Sequence, residues 1–234
     1  MKDTNDICII EIDKIDPKYK KILIQFKDDP THPIKLLPNP YHRLCGVGRM
    51  GNTKSVDTTG KIKKSFNAWK NMIHRCYNQK VIKNAPTYQE CTVCDAWLYY
   101  SNFELWWNEN YYEVDNQRMC VDKDILIKGN KIYSPQTCII VPQVVNSLFI
   151  NCGASRGDLP VGVSHFSRDN KYAATISKDS KQQFLGLFNT QEEAFACYKQ
   201  AKEQHIKYIA DFYKDRIPEK LYEAMYKWEV EITD

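Results

Sequence analysis

The chain has 234 residues, 43% of them hydrophobic and 12% aromatic, with 33 Lys and Arg against 29 Asp and Glu for a net charge of +4. This composition excludes a disordered tail and supports one or two globular domains with a real core. No apolar run approaches bilayer length and MKDTNDICIIEID is too acidic for a signal peptide, so a cytoplasmic protein without a membrane partner is expected. The nine cysteines, an odd number with no secretion signal, point to free thiols rather than a disulfide framework.

In chain order, two β-like runs, 7–12 and 22–26, predict a hairpin, and the Pro-rich KLLPNPYHR a linker. From Gly46 to Lys83 there are nine Lys or Arg and one acid, Asp57. Lys61, Lys63, Lys64, Lys70 and Arg75 in this run are candidate DNA phosphate contacts, with a solvated charged surface as the bland alternative. The run SFNAWKNMIHRCYN, with Ser65 as candidate N-cap, places Trp69, Met72, Ile73 and Cys76 on one helix face. TYQECTVCDAW reads as a strand entering a short helix, and SNFELWWNEN as a second helix with Phe103, Trp106 and Trp107 on its core face.

VDKDILIKGNKIYSPQTC, residues 121–138, reads as a strand ending in an aspartate, a Gly-Asn turn and a capped helix start, the layout of a one-metal nuclease site. Asp122 is the best metal candidate, and Asp124, two residues along a strand, shares its face. Asn130 in the turn is placed to orient a catalytic group, and Ser134 or Thr137 to cap the next helix toward the metal. Oxygen donors of this kind favour Mg²⁺ or Mn²⁺. PQVVNSLF, from Pro142, continues into a closing helix.

Together with WKNMIHRCYN and TVCDAW, this stretch resembles phage-encoded HNH-like homing endonucleases from about Ser65 to Phe149. The resemblance implies a ββα-metal site with catalytic positions at Asp122, Lys123 and Asn130 and metal positions at Asp122, Asp124 and Thr137. Two positions depart from the family. Lys123 stands where the general-base His belongs, and an ordinary lysine is protonated at neutral pH; Thr137 lies near the place of the helical ligand. CTVC supplies Cys91 and Cys94, with Cys120 and Cys138 downstream, but a second CxxC knuckle is missing, so core thiols are expected rather than structural Zn²⁺. The five histidines make no i, i+4 metal pair, and His74 alone falls on the basic helix.

A break is predicted at NCGASRGDLP, followed by three alternating strands, GVSHFSRD, KYAATISKD and QFLGLFN. Thr190 and Glu193 form a capping box opening a helix whose face carries Ala194, Cys197, Tyr198 and Ala201, and a last helix starts at Pro218 and runs through Leu221, Met225 and Trp228. These motifs (the GV opening, K-Y-x-A-x-I, L-G-x-F, T-x-E-E-A) resemble the ethylene-response-factor type of DNA-binding domain. The resemblance implies a sheet lying in the major groove, with Arg168, Lys171, Tyr172, Thr175, Lys178, Lys181 and Gln183 toward DNA and Val163, Ala174, Ile176, Leu185 and Phe188 toward the helix.

The expected fold is α+β: a hairpin and linker over 1–45, an HNH-like domain over 46–152, and over 155–234 a three-stranded antiparallel sheet packed on a helix. The expected function is a metal-dependent endonuclease of phage or mobile-element type acting on double-stranded DNA. The rival reading is a DNA-binding regulator that kept the scaffold and lost cleavage, or an anti-defence factor with a host protein partner. The sequence sets neither the target site nor the oligomeric state.

Overall fold

A computed structural model describes residues 43–150, 158–178 and 181–232 in full, together with the backbone of Ile7–Ile9, Lys21–Phe26 and Lys35–Pro38. The fold is mixed α+β, and packing divides the chain into two compact units, 1–105 and 106–234.

In the first unit, β1 (Ile7–Ile9), β2 (Lys21–Phe26) and β3 (Lys35–Pro38) form an antiparallel sheet in that order, with Ile9 opposite Ile24 and Lys21 opposite Pro38. The third strand occupies the segment expected as linker. Proline is tolerated there because β3 is an edge strand and Pro38 ends it. Helix α1 (Lys64–Tyr77) buries Trp69, Met72, Ile73 and Cys76, the face its spacing predicts. Its N-cap is Lys63, without a side-chain cap, while Ser65 is buried and its Oγ lies 2.8 Å from the Tyr100 hydroxyl. Next come α2 (Gln79–Asn84), capped by Asn78, the short β4 (Thr92–Val93), and a 3-10 turn, Asp95–Leu98. Helix α3 (Tyr100–Asn110) begins in this unit and ends in the next. An aromatic core ties them: the Trp69 indole donates to the Trp97 carbonyl at 2.7 Å, and the Trp97 and Phe103 rings meet edge-on at 5.0 Å. Such a ring pair contributes about 1 kcal/mol beyond its buried area.

In the second unit, β5 (Met119–Asp122) pairs antiparallel with β7 (Ile139–Pro142), Cys120 opposite Val141 and Asp122 opposite Ile139. Between them lies β6 (Ile132–Tyr133), and after them α4 (Gln143–Leu148). The helix start expected at Ser134 is a turn instead, and the chain re-enters a strand, because the fully buried run Ile139 to Pro142 is a strand core rather than a helix face.

Strands β8 (Val163–Phe166), β9 (Lys171–Lys178) and β10 (Lys181–Phe188) form an antiparallel sheet ordered β10-β9-β8. The capping box forms: Glu193 N donates to Thr190 Oγ1 at 3.2 Å and Thr190 N to Glu193 Oε2 at 3.2 Å, starting α5 (Gln191–Tyr213). Helix α6 (Glu219–Tyr226) has Pro218 as its N-cap, and Trp228 lies just past its end. The first half of α5 packs Ala194, Phe195 and Tyr198 against Val163, Ala174 and Ile176. Its second half packs Ile206, Ile209, Ala210 and Tyr213 with Leu221 and Met225 of α6 and with Ile125, Ile139, Val141 and Val145. One helix therefore carries both the sheet and the β5–β7 segment in a single unit. The sequence places a domain break at NCGASRGDLP, and 151–157 of that stretch lies outside the described residues. Among the described residues no helix is long and apolar enough to cross a membrane.

Candidate functional site

The segment after β5 closes on itself through its own polar atoms. Asp122 Oδ1 accepts hydrogen bonds from the Asp124 and Ile125 backbone N–H groups at 2.7 and 2.8 Å, an Asx-type turn that bends the chain at the strand end. Ile125, the residue so positioned, is buried in the α5–α6 core. The buried Lys123 ammonium donates to Asp124 Oδ1 and Oδ2, both at 2.7 Å, and to the Asn130 carbonyl at 2.8 Å. Asn130 follows Gly129, whose φ of +76° makes the turn. The Asn130 amide donates to the carbonyls of Lys123 at 2.9 Å and Ile132 at 2.7 Å, and its Oδ1 accepts from Ile132 N at 3.2 Å. Thr137 Oγ1 donates to the Ile132 carbonyl at 2.7 Å and lies 2.9 Å from Ser134 Oγ.

Burial holds the Asp122 carboxyl above the usual carboxylate range; its two backbone N–H partners only partly offset this, and the charge of Asp124 adds to the rise. Burial likewise pushes the fully buried Cys138 thiol up to about 12.

Asp122, Lys123, Asp124, Asn130 and Thr137 are thus brought together, but facing one another. A hard divalent cation takes six or more oxygen donors, several usually water. Here both Asp124 oxygens sit on an ammonium and the Thr137 hydroxyl is donated inward. Among the described residues no group of three His, Cys, Asp or Glu is placed to hold a metal. As arranged, these side chains do not fit Mg²⁺ or Mn²⁺, and no chemical step is routed through an ion.

In the first unit, Lys63 is committed to structure. Its ammonium donates to Glu104 Oε1 at 2.8 Å, where the Tyr100 hydroxyl also donates at 2.8 Å, and Thr53 binds the other Glu104 oxygen. The Arg75 guanidinium lies over the Tyr88 ring, 5.5 Å from its centroid. Lys61, Lys64 and Lys70 are exposed. His74 is held below its ordinary pKa by burial first and by Lys70 second.

The C-terminal sheet has one side on α5 and one side open. Cross-strand partners share a face, so the register assigns each residue. Val163, Ala174, Ile176, Leu185 and Phe188 join the helix-side core, as expected. Tyr172 joins them too, its ring meeting that of His165 edge-on at 5.6 Å. Lys171 pairs with Phe166 and Thr175 with Phe184 on the open side. Lys178 and Lys181 oppose each other at the hairpin tip, and Gln183 pairs with Ile176, on the parity of the packed side. Arg168 projects from the β8–β9 turn, 3.6 Å from Asp169.

The open-face residues missing from the sequence reading include Gln182, opposite Ser177; Phe184; Leu187, opposite Ala173; and Phe166, opposite Lys171. The register shifts between Phe184 and Gly186, and this bulge lets Leu185 and Phe188 both reach the packed side while Phe184 and Leu187 turn outward. Gly186 inside a strand pattern was the available signal for it.

Comparison of the chain with family models, with curated proteins and with solved structures finds no match.

Proposed function

We propose that this protein binds duplex DNA through its C-terminal sheet, and that the Asp122–Thr137 segment is a structural knot retained on a nuclease-like scaffold. The observation that carries the reading is the charge pattern of the sheet. The three strands contain Lys171, Lys178 and Lys181 and no Asp or Glu. Two of these lysines face each other across the hairpin whose turn sequence carries one acid, Asp179, leaving a positive charge in excess for an anion to meet. Backbone phosphates are such anions, and a twisted ribbon of strands matches the width of the major groove. The knot supports the structural half of the reading, since a lysine held by a carboxylate and a carbonyl is neither a base nor a free phosphate ligand.

The test is binding of the full chain to a duplex across a salt series. The expected result is a negative slope of log K against log salt that becomes shallower in Lys171→Ala and Lys181→Ala; salt-insensitive binding, or none at low salt, overturns the proposal.

A second reading, metal-dependent endonuclease, is favoured by one atom: Asp122 Oδ2 accepts no hydrogen bond from any described residue, leaving it open to an ion that draws Asp124 away from Lys123. Incubation of supercoiled plasmid with Mg²⁺ or Mn²⁺ decides between them. Cleavage lost in Asp122→Ala establishes the endonuclease; intact plasmid alongside salt-sensitive binding retires it.

A further inference from the structure

The open face of the sheet is not the cationic surface that phosphate binding alone requires. Phe184 is 61% exposed at its centre, with Leu187 and Phe166 also exposed on the same side. Gln182 lies two residues before Phe184 on the same strand face, with Thr175 and Ser177 beside them on β9. The strands carry no arginine, the side chain whose planar fork matches the O6 and N7 acceptors of guanine. Lys171 lies on this face at its β8–β9 end, while Lys178 and Lys181 stand at the hairpin tip beyond its other end, on the parity of the packed side. An apolar centre between cationic ends is complementary to a groove floor bounded by phosphates.

We infer that this face reads A·T base pairs, with Phe184 and Leu187 packing on thymine C5-methyl groups and the Gln182 amide pairing with adenine N6 and N7. In the major groove the thymine methyl is the one apolar feature, and a glutamine amide matches adenine's adjacent donor and acceptor. A Phe and a Gln two positions apart on one strand face can therefore engage the two halves of an A·T-rich step. The inference rests on the proposed DNA binding and adds its base preference.

The experiment measures binding of the full chain, at fixed salt, to four synthetic duplex polymers: poly(dA-dT), the same polymer with deoxyuridine for thymidine, poly(dG-dC), and poly(dG-dC) carrying 5-methylcytosine. Deoxyuridine removes only the methyl, and 5-methylcytosine restores one at the same groove position. The expected result is tightest binding to poly(dA-dT), about fourfold weaker for each buried methyl lost to deoxyuridine, with partial recovery on 5-methylcytosine over cytosine. Phe184→Ala should reduce the difference between thymidine and deoxyuridine by about fourfold, and Phe184→Ala with Leu187→Ala should erase it, both keeping the salt slope. Because the ring is exposed, folding should be retained, and the thermal transition of the variant checks it. Equal affinity for the thymidine and deoxyuridine polymers overturns the inference and leaves DNA binding standing. Absence of salt-dependent binding to all four overturns both.

Discussion

Asp124→Ala should destabilise the protein more than Lys123→Met, although the two remove opposite ends of one ion pair. The Lys123 side chain is 7% exposed and the Asp124 side chain 41%. Without Asp124 the largely buried ammonium keeps the Asn130 carbonyl and the face of the Tyr133 ring but no counter-charge, and removing the carboxylate partner of such a cation costs about 3 kcal/mol. Without the ammonium, Asp124 turns to solvent and Met keeps most of the apolar stem, so the loss is about 1–2 kcal/mol, from unmade hydrogen bonds. Combining the changes removes the stranded charge, so the double variant should recover about 2 kcal/mol relative to Asp124→Ala. Urea unfolding of the four proteins, followed by tryptophan fluorescence, reads all of these values. A double variant whose loss is the sum of the singles, or a Lys123→Met variant less stable than Asp124→Ala, refutes the reasoning. Lys123→Met should also leave DNA affinity and its salt slope unchanged; a lower slope at unchanged stability would make Lys123 a phosphate contact instead.

Asp122→Asn keeps the Oδ1 acceptor for the Asp124 and Ile125 amides while removing a charge that burial disfavours. Because the folded carboxyl binds its proton more readily than the unfolded one, its contribution falls as pH rises above about 4 until the raised folded value is passed. The stability of wild type minus that of Asp122→Asn should therefore decrease over that window in urea titrations at several pH values; an increase contradicts the assignment. Gly162 has φ +76°, and an added Cβ would come within 2.0 Å of the Tyr198 ring. Gly162→Ala should accordingly cost at least about 2 kcal/mol in thermal or urea unfolding. Thr190→Ala breaks the capping box and should cost about 1 kcal/mol, with Thr190→Ser restoring most of it. Lys171→Ala should lower the salt slope of DNA binding by about one without changing base preference.

Helix faces were legible because their period is set by burial alone. Trp69, Met72, Ile73 and Cys76 in α1, and Thr190 with Glu193 at the start of α5, occupy the roles their spacing predicts. The five residues assigned to the helix side of the sheet all lie there, since strand alternation against one helix has only two registers. Tyr172, Lys178, Lys181 and Gln183 were all assigned outward, yet the register gives them the parity of Ala174 and Ile176, and Tyr172 joins the helix-side core. The outward turn of both Phe184 and Leu187 escaped notice because the bulge between them changes parity without changing composition. Around Asp122 the residue types were legible and their partners were not. D-K-D spells a metal site or an ion pair equally well, and the direction of the Lys123 ammonium, toward Asp124 and the Asn130 carbonyl, is not written in the residue types. The DNA phosphate candidates of the first unit divide on the same ground, since Lys63 is held by Glu104 while Lys61, Lys64 and Lys70 reach solvent.

The most direct measurement is a map of backbone amide shifts in the isotopically labelled chain as duplex DNA is added. The account predicts perturbations concentrated at Lys171, Thr175, Gln182, Phe184 and Leu187, with the Asp122, Asp124 and Asn130 amides unmoved. Shifts centred on Asp122–Thr137 over a silent sheet would contradict it.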